Sequence, residues 1–175
     1  MSEQGEIVNR VASSPIITFN LEDYYHSGER VTYDIAQNLF QGLILKEKDF
    51  RQFVKEHDWT QYQGKNVALV CSADAIVPTW AYMLLTTRLE SYANMVVFGD
   101  MSLLEYALFK DALSAVGLDS FRDRPVVIKG CGDLPVPDSA YVEITRLIKP
   151  YAKSIMYGEP CSTVPLYKKP REPKN

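Results

Sequence analysis

The chain has 175 residues, 46% of them hydrophobic and 23% charged, with a formal net charge of −3. This composition excludes a disordered chain, and three cysteines, sparse and odd in number, exclude a disulfide scaffold. The last eight residues carry a local charge of +3, which leaves an acidic body and removes nucleic acid from the expected partners.

The length suits a single domain over residues 1–175, with 1–14 and 168–175 expected as flexible ends. No apolar run approaches the roughly 20 residues that span a bilayer, and the first residues lack a signal-peptide pattern. The expectation is a cytoplasmic protein without membrane contact, in which thiols stay reduced.

In chain order, Ile16 to Leu21 and Arg30 to Ile35 are β-rich and flank the turn-like His26-Ser27-Gly28-Glu29, which predicts a β-rich N-terminal hairpin or edge element. Phe50, Phe53, Val54 and His57 recur at helical spacing and predict an amphipathic helix from Lys46 to His57. Asn66 to Val70 reads as a short buried strand, followed by a helix from Pro78 to Tyr92 and a strand from Met95 to Phe98. Ser102-Leu103-Leu104-Glu105 has the form of a capping box opening the next helix. Pro125 to Lys129 is a further strand, Asp138 the expected N-cap of the helix that follows, and Lys153 to Tyr157 and Thr163 to Tyr167 the last strands. The pattern shows no internal repeat and no low-complexity linker. Short Val/Ile/Leu strands alternating with amphipathic helices predict an α/β fold, a mostly parallel sheet flanked by helices.

All three cysteines fall at or just after the carboxyl end of a predicted strand: Cys71 after Val70, Cys131 after Gly130, Cys161 just beyond Tyr157. Ligand sites of open α/β sheets form outside those strand ends. The same edge collects Asp74, Asp100, Asp133 and Glu159, candidates for binding a cofactor. Three thiolates suit zinc or iron, so Cys71, Cys131 and Cys161 are candidate metal ligands, although no Cys-x-x-Cys pair is present. Alternatively, Cys71 lies between a strand and a helix, where a helix N-terminus activates a thiol, and is the candidate nucleophile of a small-molecule enzyme. A binding module with structural cysteines is the third reading. His57 reads as a core or helix-end residue, and His26 as a surface turn residue. Gly130-Cys131-Gly132-Asp133 reads as a plain turn or as an anion-approaching loop.

Three phrases, Phe40 to Arg51, Cys71 to Tyr82 and Gly158 to Tyr167, resemble the signatures of a bacterial family known as domain of unknown function 2480. The resemblance covers nearly the whole chain and transfers no catalytic residue. It implies an accessory role near iron–sulfur cluster assembly, with assembly proteins as partners and iron beside zinc as the metal.

Overall fold

The computed structural model describes residues 15–159 and 161–170. In chain order these form β1 (Ile17–Asn20), β2 (Arg30–Asp34), α1 (Glu47–Glu56), β3 (Asn66–Val70), α2 (Thr79–Leu89), β4 (Met95–Phe98), α3 (Met101–Ser114), β5 (Pro125–Lys129), α4 (Asp138–Ile148), β6 (Ser154–Glu159) and β7 (Ser162–Lys168). Their contacts divide them into two units, one running from His26 to Asp111 and the other combining the chain before His26 with the chain from Ala112 onward. Residues 1–14 and 171–175 of the expected flexible ends lie outside the described residues.

The continuous unit holds a three-stranded sheet in the order β2-β3-β4, parallel throughout. Its central strand β3 is buried from Asn66 to Leu69, which is why it reads as an unbroken apolar run rather than an alternating one. Leu85, Leu89 and Ala81 of α2 pack with Val67, Leu69 and Tyr33 in one cluster, while Ala68 meets Leu104 and Leu108 of α3 in another. Each fully buried Leu or Val there contributes about 1.5–3 kcal/mol.

The discontinuous unit holds a four-stranded sheet in the order β1-β5-β6-β7, in which only β7 is antiparallel. Its interior strand β5 is buried from Val126 to Ile128. Both sheets are flanked by helices, as the α/β pattern predicts. The N-terminal strands are edge elements and not a hairpin: β1 pairs with β5 and β2 with β3, so each joins a different sheet. Parallel pairing lets a strand find a partner far along the chain, and the turn residues between β1 and β2 do not bring those two together.

Two helix starts also differ from expectation. Asp100 caps α3, its carboxylate accepting the Leu103 N–H at 2.9 Å, which places Ser102 and Glu105 inside the helix instead of in a capping box. At α4 the cap position is Pro137, and Asp138 stands in the first turn, where its charge answers the helix dipole.

The structure overturns the expectation of no internal repeat. The helices α2 and α4 lie fifty-nine positions apart at both ends, Thr79 to Asp138 and Leu89 to Ile148. The same shift carries the short 3-10 helix Trp59–Tyr62 onto Leu118–Phe121, the start of β3 onto the start of β5, and Met95 of β4 onto Ser154 of β6. Backbone bonds repeat with it. Gly64 N–H to Tyr92 carbonyl (2.9 Å) matches Asp123 N–H to Tyr151 carbonyl (3.0 Å), and Asn94 to Lys65 (2.8 Å) matches Lys153 to Arg124 (2.9 Å). Gly64 and Asp123 even share a left-handed backbone, with φ of 69° and 55°. The buried faces coincide, Ala81, Leu85 and Leu89 against Ala140, Ile144 and Ile148. The repeat escapes a reading of the sequence because most matched core positions exchange one apolar side chain for another, which conserves packing without identity.

One buried polar network belongs to the continuous unit alone. Asn66, fully buried at the start of β3, receives the Asn94 amide at 2.7 Å on its side-chain oxygen. Its own amide reaches the Gly28 carbonyl (3.2 Å) and His26 Nδ1 (3.1 Å), and Gly28 N–H also donates to that nitrogen at 3.0 Å. Two donors on Nδ1 leave the ring proton on Nε2. Arg30 donates to the His26 and Gly28 carbonyls and grips Glu105 with two bonds, at 2.7 and 3.1 Å. His26, expected at the surface, is half-buried and holds the amino ends of β2 and β3 together.

Candidate functional site

The discontinuous unit brings Cys131 to the carboxyl end of β5, where Tyr157 of β6 and Tyr141 of α4 converge on its sulfur. The Tyr157 hydroxyl lies 2.9 Å from Sγ and the Tyr141 hydroxyl 3.5 Å, and the two rings meet edge to face, 5.8 Å apart. Parallel pairing places these groups together. Ile128 sits opposite Tyr157 in the register, so the chain leaving β5 passes beside the end of β6.

The loop approaches its neighbours so closely that an added Cβ would force a neighbouring side chain to shift. A Cβ on Gly130 would stand 2.8 Å from the Tyr141 hydroxyl, and one on Gly132 would stand 2.7 Å from one Glu22 carboxylate oxygen and nearer still to the other. Neither glycine has a left-handed backbone, so close approach, and not turn geometry, explains the Gly-Cys-Gly sequence. Glu22 fixes the loop by accepting the Leu134 N–H at 2.8 Å. With that carboxylate beside it, the loop is no cradle for an anion.

Electrostatically, the Tyr157 hydroxyl, and after it the Tyr141 hydroxyl, holds the exposed Cys131 thiol below the ordinary thiol range. Burial and the charges of Glu159 and Glu22 push the other way and lose. A phenol O–H donates to a thiolate, so the two hydroxyls favour the charged form. Tyr141 is in turn pushed well up, first by burial and then by the sulfur, and Tyr157 is raised chiefly by its bond to Cys131. Both phenols thus stay protonated as donors.

Next to the thiol lies a cleft of about 340 Å³ lined by Ile128, Asp138, Tyr141, Val142, Thr145, Tyr157 and Leu166. Six of these have counterparts fifty-nine positions earlier, Leu69, Thr79, Tyr82, Met83, Thr86 and Phe98, and these line a cleft of about 560 Å³ in the other unit. There Tyr82 and Phe98 repeat the edge-to-face pair with ring centres 4.9 Å apart. The half-buried Cys71 directs its thiol to the Ala73 carbonyl at 3.5 Å. Burial, then the neighbouring Cys71 and Asp34, raise the Tyr82 phenol.

The remaining sequence candidates are scattered. Cys161 is exposed in the connection from β6 to β7, where Glu159 pairs with Ser162. Glu159 lies 3.5 Å from Lys129, Asp100 is engaged as the α3 cap, and Asp74 and Asp133 are exposed. Cys71 belongs to one sheet and the other two cysteines to the second. Among the described residues no group of three or more His, Cys, Asp or Glu side chains is gathered as a metal ion requires. His57 packs against Phe53 and edge-on to Trp59, with ring centres 4.8 and 4.6 Å away, the packing role its spacing predicts.

The model of the family described as protein of unknown function (DUF2480) matches residues 5–169. The chain belongs to the DUF2480 family. Comparison with curated proteins and with solved structures returned no match. Among the described residues of this DUF2480 chain, no helix is long and apolar enough to cross a membrane. Reading the DUF2480 sequence alone missed Tyr157, Tyr141 as a hydroxyl donor, Glu22 and Asp34. Tyr157 was open to detection, since it ends a strand beside the one that delivers Cys131. Glu22 was not, because its loop meets the Cys131 loop only through the distant pairing of β1 with β5.

Proposed function

We propose that the chain is a thiol-dependent protein of small-molecule chemistry, with Cys131 as its nucleophile and the cleft beside it as the seat of an apolar substrate. One observation carries this reading: two phenol hydroxyls converge on one exposed sulfur and favour its thiolate. The thiolate is the attacking form, and Tyr157 and Tyr141 position it while Ile128, Val142 and Leu166 supply apolar surface for the reactant. This moves the nucleophile from Cys71 to Cys131. Cys71 has a backbone carbonyl as its thiol's acceptor and bonds the Tyr82 phenol, but the position of Tyr157, the second phenol at Cys131, is filled in its unit by Phe98, which has no hydroxyl to donate.

Alkylation by iodoacetamide, followed for each cysteine by mass spectrometry across pH, tests the reading. Cys131 is expected to react faster than Cys71 and Cys161 at neutral pH, and Tyr157→Phe is expected to slow it alone. Equal, slow alkylation of all three thiols would overturn it. A soft thiolate also binds zinc and iron, so the same measurement with added Zn²⁺ separates the uses. Full protection of Cys71, Cys131 and Cys161 together by one equivalent of metal would replace the nucleophile with a shared metal site.

A further inference from the structure

The cleft beside Cys131 has one charged wall residue, Asp138, in the first turn of α4, and no lysine, arginine or histidine lines it. Val142 and Leu166 leave large apolar side chains exposed on the same wall, and Tyr141 and Tyr157 add two aromatic rings. Negative charge extends past the wall. The carboxylates of Glu159 and Glu22 act on the sulfur, that of Asp138 acts on the Tyr157 hydroxyl, and Lys129 is held at Glu159, 3.5 Å away.

The matching unit separates this charge from the needs of the fold. Asp138 is matched there by Thr79, so α2 opens without a charge where α4 carries one. Glu159 is matched by Asp100, whose carboxylate is spent on the cap of α3. Ile17 stands to Val126 as Val31 stands to Val67, which sets Ala36 in the place of Glu22. The acidic surround therefore belongs to the thiol cleft and not to the repeated architecture.

We propose, building on the reading of this cleft as the substrate's seat, that its ligand carries a positive charge on an apolar body, as an alkyl or aryl ammonium does. The body lies against Val142, Leu166 and Ile128, and the ammonium stands by Asp138 and the tyrosine rings. A cation over a tyrosine face is attracted by the ring quadrupole, the interaction by which proteins recognise quaternary ammonium groups. An anion meets carboxylates without a free cation to answer it. The amino end of α4 does not reverse this preference, because Asp138 already answers its dipole.

Two probes alike in their ring and opposite in charge, benzyltrimethylammonium and benzenesulfonate, test the proposal by ligand-observed NMR titration of the full chain carrying Cys131→Ser. The cation is expected to bind about tenfold more tightly than the anion, and high salt narrows the gap. Adding Asp138→Asn is expected to narrow it several-fold as well. Asp138 is exposed, so this isosteric change leaves the fold intact, and thermal unfolding verifies it. In the natural chain the cation is expected to slow iodoacetamide at Cys131 and leave Cys161 unaffected. Equal binding of the two probes, binding of neither, or a preference that Asp138→Asn leaves unchanged overturns the proposal. A cation held through Asp138, in a chain whose Cys131 alkylates no faster than Cys71 and Cys161, upholds the ligand class and removes only the nucleophile.

Discussion

Tyr157 and Phe98 hold the same place in the two units, each the fourth residue of the strand after a matched helix and each edge-on to a helix tyrosine, but of the two only Tyr157 brings a hydroxyl to a cysteine. The two settings differ in the sulfur as well, because the fifty-nine-residue shift puts Ser72, and not Cys71, in the place of Cys131. Because the Cys131 thiol is shifted down, folding favours its thiolate. The associated stability is absent below the folded-state value, grows as pH rises through it, and is complete above the ordinary thiol range near 8.5. Urea midpoints of the natural chain and of Cys131→Ser, compared between pH 6 and 9, are expected to diverge with rising pH in favour of the natural chain. In Tyr157→Phe that divergence shrinks and Cys131 alkylation at pH 7 slows several-fold.

Asp34 shows the opposite end of the pH scale. Burial alone would raise its carboxyl, but the Ser72 hydroxyl, the Ala36 N–H at 2.9 Å and the Ser72 N–H at 3.0 Å together lower it. Its contribution is present above the ordinary carboxyl range near 3.9 and is lost as pH falls through the folded value. Asp34→Asn is expected to flatten the acid limb of the stability profile below pH 5, and an unchanged limb would show that Asp34 is not the group responsible.

Two glycines differ in what they tolerate. Gly132→Ala displaces only the end of a flexible carboxylate and breaks one bond, from Leu134 N–H to Glu22, which costs about 1 kcal/mol. Gly158 has φ of +116°, and a Cβ there would stand 2.6 Å from the Ser162 backbone oxygen. Gly158→Ala is expected to cost more than Gly132→Ala in chemical denaturation, because neither the strained backbone nor the hairpin partner can give way.

Asn66→Ala removes the buried amide that joins Asn94, Gly28 and His26. The groups left without it are largely shielded from water, and the expected loss is about 1–3 kcal/mol per stranded group. Equilibrium urea unfolding measures it, and a loss below half a kilocalorie per mole would mean water replaces the amide.

Much of this architecture is legible in the residues themselves. The uniform apolar runs at Val67 and Val126 mark central strands because both faces of each are covered, and Ala81, Leu85 and Leu89 recur at the spacing of a buried helix face. Register is legible only where neighbours are close in sequence, as in β6 and β7. The partners of β1 and β2 were not, since parallel pairing leaves no turn signature. For the same reason the three cysteines could be placed at strand ends but not assigned to their separate sheets. Tyr141 read as a packing residue because its helical position predicts packing equally well, and only the path of the chain out of β5 reveals what its hydroxyl touches.

The pairing of Ile17 with Val126 also orders events in time. When β1 leaves the ribosome its partner has not been made, whereas His26–Asp111 is continuous and needs nothing synthesised later. At about 5–20 residues per second, β1 waits on the order of ten seconds for β5. During synthesis the continuous unit is complete first, and β1 must stay unpaired until β5 has been made.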